Sequence, residues 1–196
     1  MYTLKELVAV KNQVEIGRAV QQANNPNVVY GPIFMGKYYL GDVSETHPRS
    51  LYRWMALAEK EGLLDDLNQV YDFVGWDPYH EGSRTDKEGF PKLAPPRDTA
   101  DYWFKQSLAF NKKYFPSKEF AIGEIGYVNE HPEAQRLAWL QDVKKWVDER
   151  PGEVMAVCYF DASINVNWYL SLGVGGRLAT PYQKQVAEFW GSLYKD

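Results

Sequence analysis

Phe120-Ala121-Ile122-Gly123-Glu124 is almost wholly apolar and then ends on a carboxylate, with Ile125 and Gly126 behind it. A strand wetted on one face alternates apolar and polar residues, whereas an unbroken apolar run reads as a strand covered on both faces. Three other segments have this character: Val28-Val29-Tyr30-Gly31-Pro32-Ile33-Phe34-Met35, Tyr71-Asp72-Phe73-Val74-Gly75-Trp76, and Val154-Met155-Ala156-Val157-Cys158-Tyr159-Phe160. Four runs of this kind predict parallel strands.

Helical patterns separate them. Asp98 to Lys113 is opened by Asp98 and Thr99, and Glu133 to Glu149 by Pro132. Thr180-Pro181-Tyr182-Gln183 is a capping-box pattern with Pro at the first helical position, and Val186, Phe189, Trp190 and Leu193 follow at helical spacing. The order is a helix and then four strand-helix repeats, which predicts an α/β fold with a parallel sheet and right-handed crossovers. The 196 residues, 45% hydrophobic and 24% charged, supply one ordinary core, so residues 1–196 are expected to form a single domain.

Composition also narrows the partners. A net charge of -4 disfavours nucleic acid, because phosphate neutralisation needs clustered Lys and Arg in excess. The segment Met1-Tyr2-Thr3-Leu4-Lys5 lacks the apolar core of a signal peptide, and no stretch approaches the roughly 20 apolar residues of a membrane span. A soluble chain with no membrane partner is expected. The single cysteine, Cys158, lies in an apolar run and is expected to be a buried thiol. His47, His80 and His131 show no metal-ligand spacing. Gly173-Val174-Gly175-Gly176 lacks both the Lys-Ser/Thr of a phosphate loop and a strand-to-helix context. Neither a metal nor a nucleotide cofactor is expected.

Ligands of parallel α/β folds meet the carboxyl ends of the strands, so the polar residues that end each run are the candidates. Glu124 is the sharpest, because a carboxylate between Ile122 and Ile125 is costly to desolvate unless it has a role or a partner. The alternative is a capping or salt-bridged Glu at a strand end. Trp76-Asp77-Pro78-Tyr79 offers an acid for a sugar hydroxyl and two aromatic faces for stacking; the alternative is a turn with two core aromatics. The long polar loop from Asp77 through Glu81, Arg84 and Gly89 to Pro96 has the length of a functional loop. Asp161, Asn165, Asn167 and Trp168 read either as a sugar-facing loop or as turn chemistry with one buried indole. Aromatics form 15% of the chain, with seven Trp and fourteen Tyr, a surplus that suits either sugar stacking or an aromatic core.

The succession Asp72-Phe73-Val74-Gly75-Trp76-Asp77-Pro78-Tyr79, Ala121-Ile122-Gly123-Glu124-Ile125-Gly126 and Ala156-Val157-Cys158-Tyr159-Phe160-Asp161, ahead of Asn167-Trp168, resembles strands six, seven and eight of the clan A glycoside hydrolases. Family 26, the β-mannanase type, is the nearest in look, and Asn27 to Met35 then resembles strand five. The resemblance covers the chain from about Asn25 and implies strands five to eight of a TIM barrel, hence a half or partial barrel. It also implies a retaining hydrolase of β-linked polysaccharide or cell-wall glycan. Glu124 takes the place of the nucleophile; Trp76, Asp77, Tyr79, Tyr127, Asp161 and Trp168 take substrate-binding places.

A full barrel has eight strands and typically about 250 residues. In that family the acid/base glutamate ends strand four, which this chain lacks. A retaining mechanism needs two carboxyl groups about 5 Å apart, so one of the pair must come from elsewhere. Three arrangements follow from this. A separate chain supplies strands one to four; or two copies of this chain cover each other's sheet edges; or the chain is a non-catalytic carbohydrate-binding or structural component of a larger assembly, such as a phage tail.

Overall fold

The computed structural model describes residues 4–34, 50–80, 99–127, 133–159, 163–164, 166–167 and 188–189. The elements in chain order are α1 (Leu4–Gln22), β1 (Ile33–Phe34), α2 (Leu51–Lys60), α3 (Leu64–Val70), β2 (Phe73–Trp76) and β3 (Tyr79–His80). Next come α4 (Ala100–Tyr114), β4 (Glu119–Tyr127), α5 (Glu133–Asp148) and β5 (Val154–Tyr159), then the short pair β6 (Ser163–Ile164) and β7 (Val166–Asn167). β1 pairs parallel with β2, β2 with the first half of β4, and β3 with its last residues. β5 also pairs with β4, and β6 and β7 form a separate antiparallel ribbon.

By its contacts the chain divides into two compact units. The first comprises 1–77, 105–123 and 153–156, and the second comprises 78–104, 124–152 and 157–196.

In the first unit the helices follow from apolar residues at helical spacing. Val10, Val14 and Gly17 share one face of α1, and Leu51, Met55 and Ala58 share one face of α2; all six are buried. Gly17 lets α1 approach α3 closely, since a Cβ there would lie 2.5 Å from Val70 Cβ. Glu6 takes the Arg53 guanidinium in two contacts, Nε to Oε1 at 3.0 Å and Nη2 to Oε2 at 3.3 Å, which ties α1 to α2.

Beneath the sheet lies an aromatic layer. Trp76 is wholly buried; its ring meets Phe34 at 5.4 Å and stands edge-on to Phe110 at 5.4 Å. Asn111 on α4 accepts the Trp76 Nε1 proton at 3.0 Å and donates to the Val74 carbonyl at 3.2 Å, so one buried amide fixes β2 to its covering helix.

In the second unit, Thr99 Oγ1 accepts the Tyr102 N–H at 3.3 Å, an N-cap in the place where the sequence predicts a helix start. Asp142 on α5 accepts the Ala100 N–H at 2.7 Å. Phe104 packs against Trp146 at 5.1 Å, and Arg150 lies over the Trp146 ring at 4.0 Å.

Two expectations need correction. Cys158 is exposed rather than buried, and Met155 and Ala156 are exposed beside it. An apolar run reports that a strand would gain from being covered, but Met155, Ala156 and Cys158 of β5 keep much of their surface in water. Likewise the first run is a strand only over Ile33–Phe34, and Val28, Val29 and Ile33 are exposed. The helix expected from Thr180 is described only at Glu188 and Phe189, which are helical. The loop beyond His80 lies outside the described residues.

Candidate functional site at the end of β4

Glu124 lies near the carboxyl end of β4 and is half-buried. In the first unit Trp76 pairs with Ile122, and in the second unit Tyr79 pairs with Gly126.

The residues of β4 up to Ile122 obey the ordinary alternation. Phe120 and Ile122 pair with Val74 and Trp76, and all four are buried. On the opposite face Gly75 and Gly123 leave room for Ile33: a Cβ at Gly123 would lie 2.7 Å from Ile33 Cδ1, and one at Gly75 3.0 Å from Ile33 Cγ1. The glycine that precedes Glu124 thus accommodates a neighbouring side chain. This is a close approach of the kind that glycine in a strand permits.

The second unit brings three predicted site residues onto two paired strands. Tyr79 stands opposite Gly126, two residues past Glu124, and Tyr127 stands opposite His80 at the end of β4. Sequence places Tyr79 in a loop, but it belongs to the short strand β3. The first unit holds Trp76 and Asp77. Asp77 is half-buried, and its N–H donates to the Phe34 carbonyl at 3.0 Å, which prolongs the β1–β2 pairing. Trp76 cannot stack on a sugar from its buried position, so its predicted binding role is corrected to support of the strand end. Asp161 and Trp168 lie outside the described residues.

A cavity of about 270 Å³ opens in the first unit among Val10, Ile33, Phe34, Trp54, Met55 and Tyr71. Among the described residues no carboxylate lines it. Burial pushes the Tyr71 hydroxyl well above its ordinary ionisation range, with a further push from neighbouring Tyr30. That environment suits packing. Among the described residues no cluster of three or more His, Cys, Asp or Glu is placed to hold a metal ion, and no helix is long and apolar enough to cross a membrane.

No family model matches this sequence, and no curated protein matches it. Solved structures do. The β-glycosidase BGL167 superposes with a TM-score of 0.55 at 12% identity, over 94% of this chain and 48% of its own. A mutant of a hyperthermophilic β-glucosidase gives 0.51 at 12%, over 92% and 47%. A β-glucosidase from Exiguobacterium marinum gives 0.50 at 13%, over 94% and 54%. At such identities the likeness is one of fold. This chain is similar to about half the length of each, and its fold is a partial TIM-barrel-like (β/α) arrangement.

Proposed function

We propose that this chain is one half of a retaining glycoside hydrolase that cleaves β-linked polysaccharide, with Glu124 as nucleophile and the general acid supplied from outside residues 1–196, which form a single half-barrel domain. The reading is carried by one observation: a half-buried carboxylate near the carboxyl end of a β/α strand. The likeness to half of several β-glycosidases supports it at the level of fold.

In the first step a Glu124 carboxylate oxygen attacks the anomeric carbon while the glycosidic C–O bond breaks, and the acid on the complementary half gives its proton to the leaving oxygen. Water then opens the glycosyl ester, losing a proton to the same acid group, and Glu124 is regenerated. The family 26 resemblance gives substrate-binding roles to Asp77, Tyr79, Tyr127, Asp161 and Trp168. The family 26 resemblance makes β-mannan the first substrate to try, with cell-wall glycan and β-glucan beside it.

The test is release of 2,4-dinitrophenol from its β-mannoside and β-glucoside, whose leaving group needs no protonation, by the wild-type chain and by Glu124→Gln, with affinity electrophoresis of both in β-1,4-mannan, β-glucan and cell-wall glycan. Wild-type hydrolysis reduced roughly a thousandfold or more in the variant, with gel retardation kept, is the expected result. Equal hydrolysis by both proteins would remove Glu124 from the chemistry. Retardation without hydrolysis by either would favour the second reading, a non-catalytic carbohydrate-binding component of a larger assembly such as a phage tail. That reading draws on the fact that the chain spans only half the length of the β-glycosidases it matches.

A further inference from the structure

The cavity of about 270 Å³ in the first unit is lined from α1, β1, α2 and the end of α3. Its walls are apolar and rich in rings: Phe34, Trp54 and Tyr71 line it with Val10, Met55 and Leu67. Three polar groups interrupt them. Tyr71 is 3% exposed, and its ring is held against Tyr30 at 5.7 Å and Phe115 at 5.8 Å, yet its hydroxyl has no hydrogen-bond partner among the described residues. Gln13, which also lines the cavity, accepts the Tyr30 hydroxyl on Oε1 at 3.0 Å, and this leaves the Nε2 protons of the same amide as donors. The half-buried Trp54 keeps its indole N–H without an acceptor among the described residues. Buried phenols and indoles ordinarily find a partner. A hydroxyl left unpaired against apolar walls is costly, so this one marks a place for a polar group from outside the chain. Water is a poor occupant, because each molecule needs about two to four polar partners and these walls are mostly apolar.

We propose that this cavity binds a small neutral phenol, one aromatic ring that carries a hydroxyl and a short alkyl substituent. Size sets the class: an apolar cavity of about 150 Å³ holds benzene, so this one takes a ring with a few further atoms. Phe34, Trp54 and Tyr71 give the ring aromatic surface. The ligand hydroxyl exchanges a hydrogen bond with Tyr71, and the Gln13 amide is a second donor on the same wall. Burial keeps the Tyr71 phenol protonated through neutral pH and well above it, so its O–H remains a donor. Among the described residues no Asp, Glu, Lys or Arg lines the cavity, so a charged ligand would lose its hydration without gaining a counter-charge. A sugar fits poorly too, since these walls would leave several of its hydroxyls unpaired. The site shares no residue with the one proposed around Glu124, and it stands whether or not the glycan reading does.

Ligand-observed NMR titration of the full chain with 4-ethylphenol, and with ethylbenzene as its hydroxyl-free counterpart, tests it. Wild type should bind 4-ethylphenol with a Kd of about 1 mM or below, roughly fivefold more tightly than ethylbenzene. Tyr71→Phe keeps the ring and removes the hydroxyl, so it should erase that preference and leave ethylbenzene binding as it was. Ala9→Leu, at a half-buried position of α1 that lines the cavity, fills space with apolar atoms and should weaken both ligands by roughly fivefold or more. Circular dichroism of both variants should match the wild type; were one of them unfolded, the other and the wild-type ligand pair decide. Absence of saturable 4-ethylphenol binding, equal affinities of wild type for the two ligands, or a preference that survives Tyr71→Phe would each overturn the proposal. So would an Ala9→Leu chain that binds both ligands as wild type does.

Discussion

Asn111 serves two partners on β2 at once, the Trp76 indole N–H and the Val74 carbonyl, from a position with almost no exposure to water. Replacing it with Ala strands both groups in a site that water reaches poorly. Asn111→Ala should therefore cost about 1–3 kcal/mol in urea unfolding. A change under about 0.5 kcal/mol would show that the tie adds nothing beyond packing. Sequence reading could pick out Trp76 as a strand-end aromatic, but its direction depends on an amide 35 positions away. The polar end of its ring is satisfied inside the fold, so it has no need to face a ligand. Glu124 was legible as a carboxylate set between apolar neighbours. Its half-buried setting was not, because exposure depends on what packs around the strand.

At the scale of elements, α1 and α3 meet at Gly17. Gly17→Ala has two opposed effects. Helix propensity favours Ala by about 1 kcal/mol, whereas the added methyl would lie 2.5 Å from Val70 Cβ and 2.9 Å from Tyr30 Cε1. Overpacking of this kind costs about 1–3 kcal/mol, so the variant should melt at a lower temperature than wild type. Adding Val70→Ala should return part of the loss that Gly17→Ala causes, and an absence of such coupling would rule out the steric account. The helices that the sequence announced with start signals, α4 and α5, occur within about two residues of their expected bounds. Thr99 caps α4 as its residue type predicts. The first strand, Ile33–Phe34, is shorter than its apolar run, because such a run marks where covering would be favourable and not where pairing occurs.

For the molecule as a whole, Tyr71 sets a limit on alkaline stability. The unfolded chain ionises this phenol near its ordinary value of 10.0, and the folded chain does so only at higher pH, because burial and Tyr30 disfavour the phenolate. Below pH 10 both states keep the proton and the native state loses nothing. Above it the unfolded state is favoured by releasing a proton that the native state holds, so stability falls as pH rises. Thermal melts should show a steeper decline between pH 9 and 11 for wild type than for Tyr71→Phe, and parallel declines would mean that other groups control alkaline unfolding.

Periodicity and residue type alone determined that this chain is a parallel β/α protein with a carboxylate at the end of its third apolar run. Both follow from local preferences: strands that gain from burial, helices that start on capping residues, and the cost of an acid among apolar neighbours. Only the tertiary structure decided that Trp76 turns inward and that Ile33 and Cys158 reach water. Those outcomes depend on which distant surface covers each residue, and a chain records its demand for burial without recording what meets it.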